Sequence, residues 1–85
     1  MKRQELFDYL LGIAESVYDR VIYEKGDFQS GICRIRQERC IFLNRNLNLD
    51  INLRILAEAL EEEWLLVSEM PPAVQRAIMH YTDKS

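Results

Sequence analysis

The chain is short of the residues on which most small-protein chemistry rests: two cysteines, two prolines, three glycines and one histidine among 85 residues. Each scarcity closes off a class. Two cysteines are too few for a disulfide scaffold, so reduced thiols are expected. The glycines, at positions 12, 26 and 31, are scattered and form no phosphate-cradling loop. A lone histidine, His80, with no adjacent acid or serine motif, argues against a nucleophilic triad. With Cys33 and Cys40 it makes too small a set for zinc, and there is no Cys-x-x-Cys pair, so neither metal nor cofactor is expected. No apolar run approaches the roughly 20 residues that span a bilayer. The opening MKRQELFDYL has acids where a signal peptide needs an apolar core. The expectation is a cytoplasmic protein without a membrane partner.

What is present argues for one folded domain over residues 1–85. Hydrophobic residues make up 48% of the chain, with one Trp, four Tyr and three Phe, enough for a real core. A chain of this length buries only about 60–65% of its unfolded surface, so total stability of roughly 5–10 kcal/mol is expected. The net charge is −3, which argues weakly against general nucleic-acid binding. The charge is unevenly spread. Arg20, Lys25, Arg34, Arg36, Arg39 and Arg45 dominate the stretch 20–46, whereas Asp50, Glu58, Glu61, Glu62 and Glu63 face Arg54 alone over 50–63. A basic hairpin followed by an acidic helix favours the packing of one on the other.

Periodicity then places the elements. From Gln4 to Asp19, Leu6, Phe7, Leu10, Ile13, Ala14, Val17 and Tyr18 recur at helical spacing. Gly12 interrupts this helix at a cost of about 1 kcal/mol, acceptable if its backbone packs closely on the sheet. Val21-Ile22-Tyr23 reads as a short strand, and the turn residues Gly26, Asp27, Ser30 and Gly31 lead into a hairpin. With Gln37 and Glu38 at its tip, Ile35 faces Cys40 and Cys33 faces Phe42. Those four then share the core face, and Arg34 and Arg36 point away. In this register Cys33 and Cys40 are diagonal, with Cα atoms roughly 7–8 Å apart, too far for a bridge. Cys40-Ile41-Phe42-Leu43 is apolar on both faces, the pattern of a central strand. Asn48 or Asp50 caps a second helix whose stripe is Leu49, Leu53, Leu56, Ala57, Leu60 and Trp64, with Arg54 set to pair with Glu58. A last helix opens near Pro72 and turns Val74, Ala77, Ile78 and Tyr81 inward.

The order and spacing of Gly31-Ile32-Cys33-Arg34-Ile35-Arg36, Leu56-Ala57-Glu58-Ala59-Leu60 and Pro71-Pro72-Ala73-Val74 resembles a family of short uncharacterised bacterial α+β proteins. The resemblance covers nearly the whole chain and implies no activity. Ala57-Glu58-Ala59-Leu60-Glu61 is also faintly similar to the His-Glu-x-x-His helix of zinc metallopeptidase cores. The glutamate is kept and both histidine positions are lost, which implies at most a degenerate relative without its metal.

The fold expected is α+β, in the order α-β-β-β-α-α, with helices packed on one face of a three-stranded antiparallel sheet. That leaves Ile32, Ile41 and Leu43 on the second face. The leading expectation is a non-enzymatic interaction module, self-associating or binding a protein partner through that face and an open strand edge, with Arg34 and Arg36 beside it. One alternative is a degenerate metallopeptidase-like or thiol-dependent catalyst, in which Glu58 lies in a pocket near Cys33 or Cys40. The other is weak nucleic-acid binding through Arg34, Arg36 and Arg45.

Overall fold

The computed structural model describes residues 1–83 and shows an α+β chain. The elements are α1 (Arg3–Val17), β1 (Arg20–Glu24), β2 (Gly31–Ile35), β3 (Glu38–Asn44), α2 (Leu49–Glu61), α3 (Trp64–Val67) and α4 (Pro72–Thr82). The sheet order is β1-β3-β2, so β3 is central, as its doubly apolar run requires. β2 and β3 form an antiparallel hairpin, but β1 runs parallel to β3. The sheet is therefore mixed, not antiparallel. The hairpin folds back so that β3 inserts between β1 and β2, and the loop after β1 crosses over the end of β3 to reach β2.

Local chemistry accounts for the boundaries. Glu5 Oε1 accepts from the Lys2 N–H at 3.0 Å at the start of α1. Asn48 Oδ1 accepts from the Asp50 N–H at 2.8 Å and caps α2. Pro72 occupies the first turn of α4, where its missing N–H costs nothing. The stripe read for α2 continues only to Leu60. The helix ends at Glu61, and Trp64 begins the short α3 and is 58% exposed, not buried.

The core lies between the helices and one face of the sheet. Phe7, Leu10, Ile41, Leu43, Leu53, Leu56, Leu60, Val74 and Ile78 are all buried. α2 packs on α1, α4 and β3. Tyr18 reaches beneath α2 and donates its hydroxyl to the Ala59 carbonyl at 2.9 Å.

The hairpin register differs from the sequence expectation. The partners are Ile35–Glu38, Arg34–Arg39, Cys33–Cys40 and Ile32–Ile41, so the turn is Arg36-Gln37. Arg36 has φ 58°. A positive φ at the first central residue alone is the type II′ pattern, which allows a two-residue turn without Asn-Gly at some backbone cost. A shift of two residues preserves which side chains share a face. The assignment of the faces, however, is reversed: Ile32, Ile41 and Leu43 lie on the helix side, and Cys33, Ile35, Cys40 and Phe42 on the outer side. The tie is broken by β1, whose Val21 and Tyr23 pair with Ile41 and Leu43 and complete the core face. Gly12 also departs from expectation: it is exposed, and a methyl group there would meet nothing within 4 Å.

Candidate interaction surface

The outer face of the sheet is built by alternation. β1 contributes Ile22, β3 contributes Cys40 and Phe42, and β2 contributes Cys33 and Ile35, all on the side opposite Ile41 and Leu43. Among the described residues no helix packs there, since α1 and α2 carry the helix contacts to the sheet from the core side. Ile35 is 46% exposed, Cys33 is exposed, and Ile22 and Phe42 are half-buried. Phe28, from the loop between β1 and β2, closes one end with an edge-on contact to Phe42, ring centroids 6.3 Å apart. Gly26 makes room for it, because a Cβ there would lie 2.9 Å from the Phe28 ring. At the other end the Arg20–Glu38 ion pair, 3.4 Å, lies on the same face beside Cys40.

The residues singled out from sequence separate onto two sides. Ile41 and Leu43 are fully buried under the helices and take no part in the outer face. Ile32 is 38% exposed on the helix side, where it lines a shallow groove of about 300 Å³ with Glu58, Glu61, Glu62 and Thr82. Arg34 is on that side too, near Tyr18, Arg39 and Glu62, and Arg36 stands in the turn. Cys33 and Cys40 are free thiols on the outer face. Cys33, on the edge strand, also borders the small pocket of Tyr18, Arg39 and Glu62, but the groove that Glu58 lines holds neither thiol, and the arrangement required by a Glu58–thiol catalyst does not form. Arg54 and Glu58 do not meet as an ion pair either; among the described residues the pairs are Arg3–Asp50, Arg20–Glu38 and Arg39–Glu63. Among these residues no three of His, Cys, Asp and Glu gather closely enough to hold a metal ion. Nor do the arginines form one patch. Arg34 and Arg36 sit at the hairpin end, while Arg45 lies past the far end of β3, stacked on Tyr23 at 4.7 Å.

Two features escape the pattern of the sequence. The first is Arg39, whose guanidinium lies 4.4 Å from the Tyr18 ring centre and 2.7 Å from Glu63 Oε1. Glu63 and Tyr18 together raise the Arg39 pKa. Burial raises that of Tyr18 against the opposing effect of Arg39. The second is a buried polar knot. Asn44 Nδ2 donates to the carbonyls of Gly26 and Phe28 at 2.7 and 2.6 Å, and Asn52 Nδ2 donates to the Asn44 carbonyl at 2.9 Å. Ser30 Oγ accepts from the Asn44 N–H at 2.8 Å. This knot holds the β1–β2 loop, and with it Phe28, at the rim of the outer face. Asparagine-rich runs are ordinarily read as loops, and only the apolar neighbours of Asn52 hinted at burial.

The geometry defines a small α+β protein with a mixed sheet covered on one face. No family model, no curated protein and no solved structure matches the chain. Among the described residues no helix is long and apolar enough to cross a membrane.

Proposed function

We propose that the protein is a non-enzymatic interaction module that buries the outer face of its sheet against a protein partner or a second copy of itself. The observation that carries this reading is the uncovered apolar surface of Ile22, Cys33, Ile35 and Phe42 on a sheet whose other face carries the helices and the core. Apolar surface gathered on one side of a small sheet, with a charged rim, is the usual composition of a recognition site. Its centre is formed by Phe42 and Cys40 of the central strand, which is paired on both sides. The arrangement of the thiols and glutamates supports binding over catalysis, since the groove that holds Glu58, Glu61 and Glu62 is lined by neither thiol.

The self-associating form is tested by sedimentation from micromolar to millimolar concentration, on the wild type and on Ile22→Glu. The expected result is a mass that rises with concentration in the wild type and falls toward the monomer in the variant. A rise untouched by the substitution would exclude this face as the contact.

A further inference from the structure

We infer that the open edge of β2 is an interface for a second copy of this chain, paired antiparallel about a two-fold axis at Cys33. The argument begins with the ladder. In a two-residue hairpin the flanking pair, here Ile35–Glu38, exchanges backbone hydrogen bonds, and the pattern alternates along the strands. Gly31, Cys33 and Ile35 therefore direct their N–H and C=O groups at β3. Those of Ile32 and Arg34 point outward, along an edge that no strand covers. A two-fold axis at Cys33 aligns the whole of β2 with its copy: Ile32 opposite Arg34, Gly31 opposite Ile35, and Cys33 opposite itself. Ile32 and Arg34 of each chain then satisfy one another's outward groups.

Charge selects this register and this occupant. An arginine on an edge strand ordinarily guards it against pairing. Here each Arg34 arrives opposite Ile32 of the other chain, on the helix side, where Ile32 shares its groove with Glu58, Glu61 and Glu62. Among the described residues none of these three glutamates, nor Arg34, has an ion-pair partner within its own chain. Sliding the axis to Arg34 would set like charges directly opposite, which is unfavourable. Sliding it to Ile32 would bring Arg34 opposite Ser30 and leave Ile35 unpaired. An apolar strand from an unrelated protein gains nothing from the acidic groove, whereas β2 itself carries the matching cation. The product is a continuous six-stranded sheet whose outer apolar surface is doubled, and it does not depend on that surface being bound.

The pairing places the two Cys33 residues opposite each other as a non-hydrogen-bonded pair, Cα atoms about 4.5 Å apart, within disulfide reach. The test uses the full chain carrying Cys40→Ala, so that diamide, which takes up the hydrogens of two thiols, can join only Cys33 to Cys33. Sedimentation and the rate of diamide cross-linking are followed for this parent, for Arg34→Glu, for Arg34→Glu with Glu58→Arg and Glu62→Arg, and for Ile32→Pro. The expected result is a dimer that cross-links through Cys33, a rate about tenfold lower in Arg34→Glu from the two lost charge contacts, and recovery in the charge-swapped chain. Ile32→Pro removes an outward N–H without breaking a β2–β3 hydrogen bond and should abolish the dimer while far-ultraviolet circular dichroism stays native. If that variant unfolds, the charge reversal at exposed Arg34 decides alone. A parent that is monomeric throughout and cross-links no faster than Arg34→Glu overturns the pairing. So does a dimer indifferent to Arg34→Glu, and if Ile22→Glu splits that dimer the outer-face reading stands without the edge. A dimer lost in Arg34→Glu and kept in Ile22→Glu establishes the edge and removes self-association through the face.

Discussion

Cys33 and Cys40 are direct partners across the β2–β3 ladder, yet Cys33 is exposed and Cys40 has no exposed surface. The difference follows from position: Cys33 is on an edge strand, and Cys40 lies between two strands with the Arg20–Glu38 pair beside it. Reactivity toward a thiol reagent needs access as well as thiolate. A colorimetric disulfide reagent is expected to titrate one thiol in the native protein and both in denaturant, with Cys33→Ser silencing the fast phase. Two thiols reacting together in native buffer would contradict this burial.

Arg39 ties the end of α2 to the sheet through Tyr18 and Glu63. Each contact is partly solvated, so removing both should cost about 1 kcal/mol, with lost packing of the arginine stem included. Chemical denaturation of Arg39→Ala should show that loss. Arg39→Lys should recover only part of it, because an ammonium cannot both stack flat on a ring and reach the carboxylate.

The pH dependence has two limbs. Asp50 accepts from Arg3 at 2.7 Å and from the Tyr81 hydroxyl at 3.0 Å, and these contacts, Arg3 first, lower its pKa. A lowered pKa in the folded state gives stability that is present above the unfolded carboxylate value, near 4, and is lost as pH falls through the folded value. Tyr18 and Tyr81 shift the other way, both raised chiefly by burial. Their contribution is complete below the unfolded tyrosine value, near 10, and is lost as pH rises through the folded one. Thermal melts should fall at both extremes, with Asp50→Asn flattening the acid limb and Tyr18→Phe the alkaline one. Tyr18→Phe should also cost about 1 kcal/mol at neutral pH, from the hydrogen bond lost to Ala59.

Two backbone positions can be improved. Gly12 is in the middle of α1 with open space around it, so Gly12→Ala should add about 1 kcal/mol through helix propensity. Arg36 holds φ 58° in the hairpin turn, and Arg36→Gly should relieve strain worth about 1 kcal/mol. A shift in the denaturation midpoint without a change in slope is the expected readout for both.

Asn44 is 3% exposed and satisfies two loop carbonyls with one amide. Asn44→Leu strands these carbonyls and should destabilise the fold by about 2–4 kcal/mol. Before global unfolding the variant should also become susceptible to limited proteolysis between Gly26 and Ser30. Equal resistance in the two proteins would show that the loop is held by other contacts.

The helices were legible from sequence because a 3.6-residue period over α1 and α2 leaves one arrangement of Leu6, Leu10, Leu53 and Leu56 that buries them together. The central place of β3 followed from Cys40 to Leu43 being apolar on both sides. The faces were not legible: Ile32, Ile41 and Leu43 balance Cys33, Ile35 and Phe42, and alternation alone cannot choose between equally apolar sets. The choice lay in Val21 and Tyr23, on a strand too short to announce its direction. Arg36-Gln37 carries no glycine or asparagine to mark the turn, which hid the register and with it the direct pairing of Cys33 with Cys40. Trp64 read as core because it continues the α2 period, but the chain leaves that helix three residues earlier.

The central strand has one neighbour supplied by the hairpin and another made some twenty positions earlier in the chain, Arg20 beside Cys40. On a ribosome that works from the N-terminus, β1 emerges long before anything exists for it to pair with, and β2 offers it nothing. The hairpin can close as soon as Asn44 is released, but the earlier strand must wait and then dock along the hairpin's free side, a longer-range and slower event. Until it docks, both borders of the nascent sheet are unprotected, and an excess of copies at that moment has its best opportunity to join the wrong strands.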